Sequence, residues 1–192
     1  MLKARTIFRE FLKSPNKVGA IAPSSRYLAN AMLDQLHWDT LTNVVEYGPG
    51  TGAISKHLLE RVGDHQKFFA VELNGSFIPV LNEKLPQLKV FNESVSDIRR
   101  ICDREDVDWV DGIISGLPWT AFPEPLQEEL LSATLDVLAD NGQFVTFAYV
   151  HGLPLQNARR FRKRLKETFS TVTISRVVWR NFPPAIFYSC RK

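Results

Sequence analysis

The chain has 192 residues, 44% hydrophobic and 23% charged, a composition that suits one folded domain with a full core. Two cysteines are too few for a disulfide framework or a thiolate metal site, and no apolar run approaches the ~20 residues that a membrane-spanning helix needs. These features argue against a disulfide-rich secreted domain and an integral membrane protein. We expect an intracellular protein that is soluble or peripheral to a membrane.

The net charge of +3 hides a strong segregation along the chain. Residues 1–26 hold six Lys/Arg and one Glu, a balance of +5. Residues 27–155 hold eight Lys/Arg and nineteen Asp/Glu, a balance of −11, and residues 156–192 hold ten Lys/Arg and one Glu, a balance of +9. Basic ends around an acidic middle indicate that the ends face a polyanion, either nucleic acid or an anionic membrane.

The first 37 residues are predicted to form a helical extension. Residues 4–13 place apolar side chains at helical spacing and arginines on the opposite face. Such a basic amphipathic helix binds an anionic bilayer weakly and reversibly, or packs its apolar face on the core. Ser24 or Ser25 is expected to cap a second helix that runs to about Leu36.

Strand-like and helix-like segments then alternate along the rest of the chain. The predicted strands are 43–47, 67–72, 88–92, 109–115, 143–150, 171–179 and 185–190. The predicted helices are 51–62, 76–85 (interrupted early by Pro79), a short turn around 95–101, 124–138 and the very basic 156–168. This order predicts a single α/β domain over residues 1–192. Its sheet is Rossmann-like, seven-stranded and mostly parallel, with helices on both faces and an antiparallel C-terminal hairpin.

A glycine-rich loop follows the first predicted strand, in the segment VVEYGPGTGAISKHLL. Gly48, Gly50 and Gly52 allow the backbone to approach a ligand closely and present amides at the start of a helix. Their G-x-G-x-G spacing differs from the G-x-G-x-x-G of dinucleotide sites, and Glu46 would repel a pyrophosphate. The same carboxylate suits a ligand with an ammonium group, at a strand end where open sheets bind ligands.

With these motifs in this order, the chain resembles the Class I S-adenosylmethionine-dependent methyltransferases over nearly its whole length. In that family the glycine loop receives the methionine part of the cofactor. An acid that ends the second strand accepts both ribose hydroxyls, and FFAVEL supplies Glu72 there. The resemblance implies S-adenosyl-L-methionine as the cofactor and no metal. The implied cofactor-binding residues are Glu46, Tyr47, Gly48, Gly50, Thr51, Gly52, Glu72, Leu73, Ser94, Val95 and Ser115.

The adenine side of this site departs from the family pattern. Members often carry Gly-Asp-Ala after the third strand, with the acid on the adenine amino group, whereas this chain has Asn92-Glu93-Ser94-Val95. Ser94, Glu93 or a backbone amide must therefore take over that contact.

Four stretches narrow the resemblance to bacterial phospholipid N-methyltransferases of the soluble, peripheral type. They are FLKSPNKVGAIAPSS, EYGPGTG, SGLPW and WRNFPPAIFY. That family methylates the amine of phosphatidylethanolamine, and related enzymes act on other amino lipids. The resemblance implies a phospholipid substrate and an anionic membrane surface as partners and argues against nucleic acid, and it leaves the oligomeric state open. It also implies a cytoplasmic protein that is peripherally associated with the inner membrane.

Methyl transfer to a lipid amine needs a neutral nitrogen held in line with the methyl group, so a proton must leave the ammonium form. The expected catalytic residues are Ser115, Tyr149 and His151, with His151 as the proton acceptor because imidazole suits that role near neutral pH. Aromatic rings would stabilise the cation, and Arg180 with Asn181 would bind the headgroup phosphate. The expected substrate-binding residues are Tyr27, Gly116, Leu117, Pro118, Trp119, Arg180, Asn181 and Phe182.

Two other functions fit parts of the sequence. An rRNA adenine N6-methyltransferase would share the EYGPGTG loop and the basic ends, but its Asn-Pro-Pro-Tyr motif is replaced here by SGLPW, in which Gly116 is expected to make room for a flexible amine. A non-catalytic partner that keeps the fold is the other alternative, against which the intact loop with Glu46 and Glu72 argues.

Overall fold

A seven-stranded sheet organises residues 23–192, the part of the chain described by the computed structural model. The strand order is β3-β2-β1-β4-β5-β7-β6, and only β7 runs antiparallel to its neighbours. The strands are β1 Asn43–Tyr47, β2 Lys67–Val71, β3 Val90–Phe91, β4 Val110–Ser115, β5 Leu138–Tyr149, β6 Thr171–Ile174 and β7 Ala185–Arg191. The predicted mostly parallel sheet with an antiparallel end is confirmed.

Six α-helices and five short 3₁₀ turns connect these strands within residues 23–192. The helices are α1 Arg26–Leu33, α2 Ser55–Leu59, α3 Ile78–Lys84, α4 Ile98–Arg104, α5 Glu124–Val137 and α6 Gln156–Thr168. The 3₁₀ turns are Trp38–Thr40, Gly75–Phe77, Val95–Asp97, Trp119–Ala121 and Val150–Gly152. No helix in this part of the chain has the length and apolar character needed to cross a bilayer. The predicted helix at 4–13 lies outside the described residues.

The central strands bury side chains on both faces, because helices cover both sides of the sheet. Val44, Ile114 and Val145 point into the cluster formed with α1 and α2. Their neighbours along each strand point to the opposite face, into the larger cluster formed with α4, α5 and α6; these neighbours are Val45, Ile113 and Phe144. The continuous apolar runs in the sequence reflect this two-sided burial.

Two predicted helices begin at different residues for physical reasons. The predicted helix at 51–62 starts only at Ser55, because the glycine turn occupies the preceding residues, and it ends at Leu59. Pro79 does not interrupt a helix; it lies in the first turn of α3, where its fixed φ and missing N–H are harmless. Of the two candidate caps for α1, Ser25 is the N-cap, since its Oγ accepts from the Leu28 amide at 3.3 Å.

The sixth strand is shorter than predicted, ending at Ile174 rather than at residue 179. Beyond it, the Ser175 side chain accepts the Phe187 amide at 2.9 Å and takes the place of a ladder hydrogen bond. Pairing resumes for a single bridge between Val178 and Ala185. Residues 179–184 therefore form the end of the β6–β7 hairpin.

The turn after β4 is anchored in the core by Trp119, which is fully buried. Its ring stacks on Phe161 of α6, with centroids 5.3 Å apart, and meets Phe144 of β5 edge-on at 5.8 Å. Its Nε1–H donates to Ser115 Oγ at 2.8 Å. Trp119 thus joins the end of β4 to α6 through packing and a buried hydrogen bond.

We predict that Trp119→Ala lowers the free energy of unfolding by about 3–5 kcal/mol, because it leaves a large cavity between β5 and α6. Urea denaturation followed by circular dichroism measures the loss. Trp109→Ala is the matched control, since Trp109 is 54% exposed and its removal should cost less than about 1 kcal/mol. Equal effects of the two substitutions would contradict the anchoring role.

Candidate active site

The carboxyl ends of four strands meet at one edge of the sheet. Tyr47 at the end of β1 is level with Val71 of β2 and with Ser115 of β4, and Ser115 is level with Thr146 of β5. The glycine loop, the acid after β2 and the turn after β4 consequently lie side by side. This is the edge at which open α/β sheets bind ligands.

The glycine loop adopts a backbone that only glycine takes up readily. Gly48, Gly50 and Gly52 have φ angles of +67°, +56° and +84°. A Cβ on Gly48 would lie 2.8 Å from a Leu117 methyl, whereas one on Gly50 would meet no atom of the described residues within 4 Å. Gly50 thus borders open space, and a ligand can approach the backbone closely there.

Glu72 follows β2 and is nearly buried, with 7% of its surface exposed. One carboxylate oxygen accepts from the Gly50 amide at 3.0 Å and the other from the Asn74 amide at 2.7 Å. Burial raises the pKa of Glu72, and these backbone amides oppose the shift. A carboxylate has about four acceptor positions, so each oxygen keeps one for a further donor such as a hydroxyl.

Glu46 is the least satisfied polar group at this edge. It is 1% exposed, and neither carboxylate oxygen has a hydrogen-bond partner among residues 23–192. Burial raises the pKa of Glu46 to about 8. The nearby Ser55 hydroxyl, which is outside hydrogen-bonding geometry, opposes this shift, and the Glu72 carboxylate adds to it. A buried carboxyl without partners is costly, and a cationic ligand would relieve that cost.

The turn after β4 lies directly against the glycine loop. The Gly116 amide donates to the Tyr47 carbonyl at 2.7 Å. A Cβ on Gly116 would lie 2.6 Å from the Gly48 carbonyl oxygen, closer than real atoms approach. The expectation that Gly116 makes room for an amine is wrong, because its missing side chain makes room for the neighbouring backbone.

Ser115 and Trp119, both expected in the site, instead make contacts that stabilise the turn itself. Ser115 is fully buried, and its Oγ accepts from the Trp119 ring and, at 3.3 Å, from the Leu117 amide. It shapes the turn and does not face a ligand. Trp119 packs in the core and cannot form part of an aromatic wall. Leu117 and Pro118, buried and half-buried, remain at the edge beside Gly48.

The adenine side also differs from expectation. Glu93 is committed to ion pairs with Arg100 and Arg104, so it does not replace the missing acid. Ser94 caps the next 3₁₀ turn by accepting from Ser96, and Val95 is buried. The remaining choices for the adenine contact are the Ser94 hydroxyl and backbone amides.

Asn92 also shapes this edge, a role that was not predicted from the sequence. Its side-chain amide donates to the carbonyls of Glu72, at 2.8 Å, and Leu73, at 3.1 Å. These bonds clamp the loop after β2 to the end of β3 and thereby help to hold the Glu72 carboxylate in position. The only signal in the sequence was an asparagine where the family has glycine.

The end of β5 brings Tyr149 and His151 to the same edge. Their rings stack with centroids 5.7 Å apart, and His151 is exposed. The Tyr149 hydroxyl is buried without a hydrogen-bond partner among the described residues. Burial raises the pKa of Tyr149 to about 12, so the phenol stays protonated near neutral pH and has a proton to donate. Both residues remain candidates for contact with the acceptor.

The last group of expected substrate residues lies where α1 meets the end of the β6–β7 hairpin. The Arg180 guanidinium lies 3.9 Å from the centre of the Tyr27 ring. Asn181 is 1% exposed; its side chain accepts from the Ser25 amide at 2.8 Å and donates to the Pro183 carbonyl at 2.7 Å. Asn181 therefore does not bind a headgroup phosphate. Phe182 is 82% exposed and does not line an enclosed site.

Comparison with known proteins identifies the family. The chain is 31% identical over 185 residues to ornithine lipid N-methyltransferase of Singulisphaera acidiphila, covering 95% of this chain and 92% of that protein. The chain therefore belongs to the family of ornithine lipid N-methyltransferase, within the Class I S-adenosylmethionine-dependent methyltransferases. The methyltransferase uses S-adenosyl-L-methionine as its cofactor.

Other proteins match the N-terminal half of the chain, which contains the glycine loop and Glu72, or share its fold. A ribosomal RNA adenine dimethylase family model matches residues 12–97 of the methyltransferase. Ribosomal RNA small subunit methyltransferase A of Clostridium botulinum is 33% identical over 95 residues, 48% of this chain and 33% of that protein. The fold matches that of Burkholderia thailandensis 1,6-didemethyltoxoflavin-N1-methyltransferase, with 15% identity, a TM-score of 0.67, and coverage of 98% of this chain and 88% of that one.

The site has the groups that this cofactor requires. The unpaired Glu46 carboxyl suits the ammonium group of the methionine part, and Glu72 has acceptor positions left for the ribose hydroxyls. The open space beside Gly50 leaves room for a ligand against the loop backbone. The bound cofactor supplies an activated methyl group on its sulfonium sulfur.

We predict that cofactor affinity rises with pH between 6.0 and 7.5. Because the Glu46 pKa is about 8, most of its carboxyls are protonated at pH 6 and must lose a proton to pair with an ammonium group. Raising the pH removes that cost, by up to about tenfold in affinity per pH unit. Isothermal titration with S-adenosylmethionine measures this dependence.

Glu46→Gln should bind the cofactor at least about tenfold more weakly at pH 7.5 and show a flat pH profile, because the charged hydrogen bond is lost. Glu83→Gln, which changes an exposed carboxylate on α3, is the control and should behave like the unmodified protein. A flat profile in the unmodified protein would refute the ammonium contact.

Proposed function

We propose that the methyltransferase transfers a methyl group to the primary amine of a membrane lipid headgroup, at the membrane surface. Ornithine lipid and phosphatidylethanolamine both carry such an amine. One observation carries the proposal: similarity to a lipid N-methyltransferase extends over 95% of the chain, including the acceptor half of the domain.

The turn after β4 supports a flexible amine over a flat base. Enzymes that methylate a base hold the flipped ring between aromatic or apolar side chains. Trp119 is the only aromatic residue of the turn 115–119, and it is buried under α6. The turn 115–119 therefore presents no aromatic ring on which a flat base could stack, and its backbone carbonyls suit the N–H groups of a primary amine.

The acceptor amine must lose a proton before it attacks the methyl carbon. We assign this proton to His151, because it is exposed at the end of β5 beside the stacked Tyr149 ring. The amine lone pair then forms the new carbon–nitrogen bond as the carbon–sulfur bond breaks, and the sulfonium becomes a neutral thioether. Tyr149 would donate its hydrogen bond to a headgroup oxygen near the amine.

An rRNA adenine methyltransferase is the second candidate. It is favoured by the family model that matches residues 12–97, which contain the glycine loop and Glu72. That match ends before β4 and so leaves out the acceptor turn. The third candidate is a non-catalytic partner, and the methyltransferase activity of the chain's relatives argues against it.

We predict that purified protein transfers radiolabelled methyl groups from S-adenosylmethionine to an amino lipid. Three parallel reactions contain ornithine lipid vesicles, phosphatidylethanolamine vesicles or ribosomal RNA, and the label is counted in the extracted lipid and the precipitated RNA. A parallel reaction with radiolabelled S-adenosylmethionine but without protein gives the background.

Label in either lipid above that background supports the proposal, and the ratio of the two lipids identifies the preferred headgroup. Label confined to RNA would establish the second candidate and overturn the lipid assignment. With the substrate that becomes labelled, His151→Ala should lower the methylation rate by about 10²–10⁴-fold at neutral pH.

A further inference from the structure

Large exposed apolar side chains concentrate at the edge of the sheet that holds the site. Within residues 23–192, four such side chains are more than half exposed: Leu155 (60%), Trp179 (74%), Phe182 (82%) and Trp109 (54%). The first three lie on segments that leave the carboxyl end of β5 or precede β7. Trp109 precedes β4 and is therefore at the opposite edge.

The β6–β7 hairpin carries two of these side chains outward. Ala185, the first residue of β7, is level with Tyr149 at the end of β5 and forms the last bridge with Val178. Residues 179–184 project beyond that bridge, and Pro184 contacts Val150 at the end of β5. We call residues 179–184, together with Arg26, Tyr27 and Leu155, the aromatic tip.

The aromatic tip is held in place from inside the protein. Asn181 binds the Ser25 amide and the Pro183 carbonyl, which joins the hairpin end to the start of α1. The Pro184 carbonyl accepts from the Val150 amide at 2.9 Å, which joins it to the end of β5. Trp179 and Phe182 are thus exposed on a supported turn, so their exposure is a stable feature of the surface.

Positive charge surrounds these apolar side chains. The guanidinium groups of Arg180 and Arg26 lie 3.9 Å and 5.0 Å from the centre of the Tyr27 ring. Arg26 donates one N–H to the Tyr27 hydroxyl at 3.0 Å, and the geometry at the ring leaves other guanidinium N–H groups of the two arginines for phosphate. Residues 23–33, 142–166 and 168–192 contain no Asp or Glu, so the segments that form the tip carry no acid. The tip is complementary to an anionic surface.

Two cations of the basic helix α6 are used for contacts within the protein. Arg164 pairs with both Glu124 and Glu128 of α5, at 3.0 and 2.6 Å, and Arg160 contacts Glu124 at 3.5 Å. These cations serve the contact between α5 and α6.

We propose that the aromatic tip docks on an anionic bilayer surface, with Trp179, Phe182 and Leu155 in the boundary between headgroups and acyl chains and the arginines on lipid phosphates. Apolar side chains within a basic rim bind bilayers in this way. The inference rests on the proposed function, because docking here brings the edge with Tyr149 and His151 to the membrane. A lipid amine then reaches the site while its acyl chains stay in the bilayer.

A bilayer fits the tip better than RNA does. A surface that binds single-stranded RNA stacks bases on aromatic rings. Leu155 has no ring to stack, yet it is exposed at the same edge as Trp179 and Phe182. A mixture of aliphatic and aromatic side chains is typical of insertion into lipid.

The test compares the unmodified protein with Leu155→Ser/Trp179→Ser and with Trp109→Ser. Position 155 is the N-cap of α6, where serine is a favourable residue, so the first substitution does not weaken that helix. Co-sedimentation with phosphatidylglycerol–phosphatidylcholine vesicles at 0.15 M salt measures partition. We expect the double variant to partition at least about tenfold more weakly, since two large apolar side chains are lost, and the Trp109→Ser control to stay within about twofold.

Unchanged partition of the double variant would overturn the proposal. If partition is unchanged and the double variant loses RNA binding, the tip is a surface for RNA. If partition is unchanged and the oligomeric state changes in size-exclusion chromatography, the tip is a contact with a second copy of the chain.

Methylation assays separate docking from the function on which it rests. With an amino lipid in detergent micelles, the double variant should match the unmodified protein, whereas with the same lipid in vesicles its rate should fall at least about tenfold. If the unmodified protein methylates lipid in neither form but partitions through the tip, docking holds and the lipid function fails. If the double variant methylates vesicle lipid as fast as the unmodified protein, the function holds and docking through the tip fails.

Discussion

The contact between Gly116 and Gly48 is the constraint on which the site depends. A Cβ at position 116 would lie 2.6 Å from the Gly48 carbonyl oxygen, so only glycine lets the turn after β4 lie against the loop after β1. Leu117 then fills the space beside Gly48, and Trp119 secures the far end of the turn under α6. The same short segment thus shapes the cofactor loop and the place where the acceptor arrives.

This arrangement leaves two buried carboxylates in different states. Glu72 is already hydrogen-bonded by the Gly50 and Asn74 amides, and it keeps acceptor positions for hydroxyls. Glu46 has no partner among the described residues and a pKa near 8. The protein therefore holds an unfavourable buried group in the absence of ligand, and a cationic ligand recovers that free energy. Recognition of the ammonium and of the ribose is divided between the ends of two adjacent parallel strands.

Much of this could be predicted from local sequence patterns. The strand–helix alternation indicated the sheet, and the spacing of Glu46, the glycines and Glu72 indicated the cofactor edge. The acceptor side could not be predicted in the same way. Trp119 and Ser115 have side chains typical of a site. The Trp119 ring is instead stacked on Phe161, which the chain reaches only after another helix and strand, and Ser115 is hydrogen-bonded to the Trp119 ring. The Asn181 side chain accepts a hydrogen bond from the Ser25 amide, 156 residues away in the sequence, and no local pattern predicts such a partner.

Gly116→Ala tests the central constraint most directly, through isothermal titration of S-adenosylhomocysteine into the folded variant. The added methyl group must push the turn and the glycine loop apart, so we expect cofactor-product affinity to fall at least about tenfold, with a lower melting temperature. Gly152→Ala is the matched control, because a Cβ there would meet nothing within 4 Å among the described residues. If Gly116→Ala keeps the affinity and stability of the control, the close contact between Gly116 and Gly48 does not define the site.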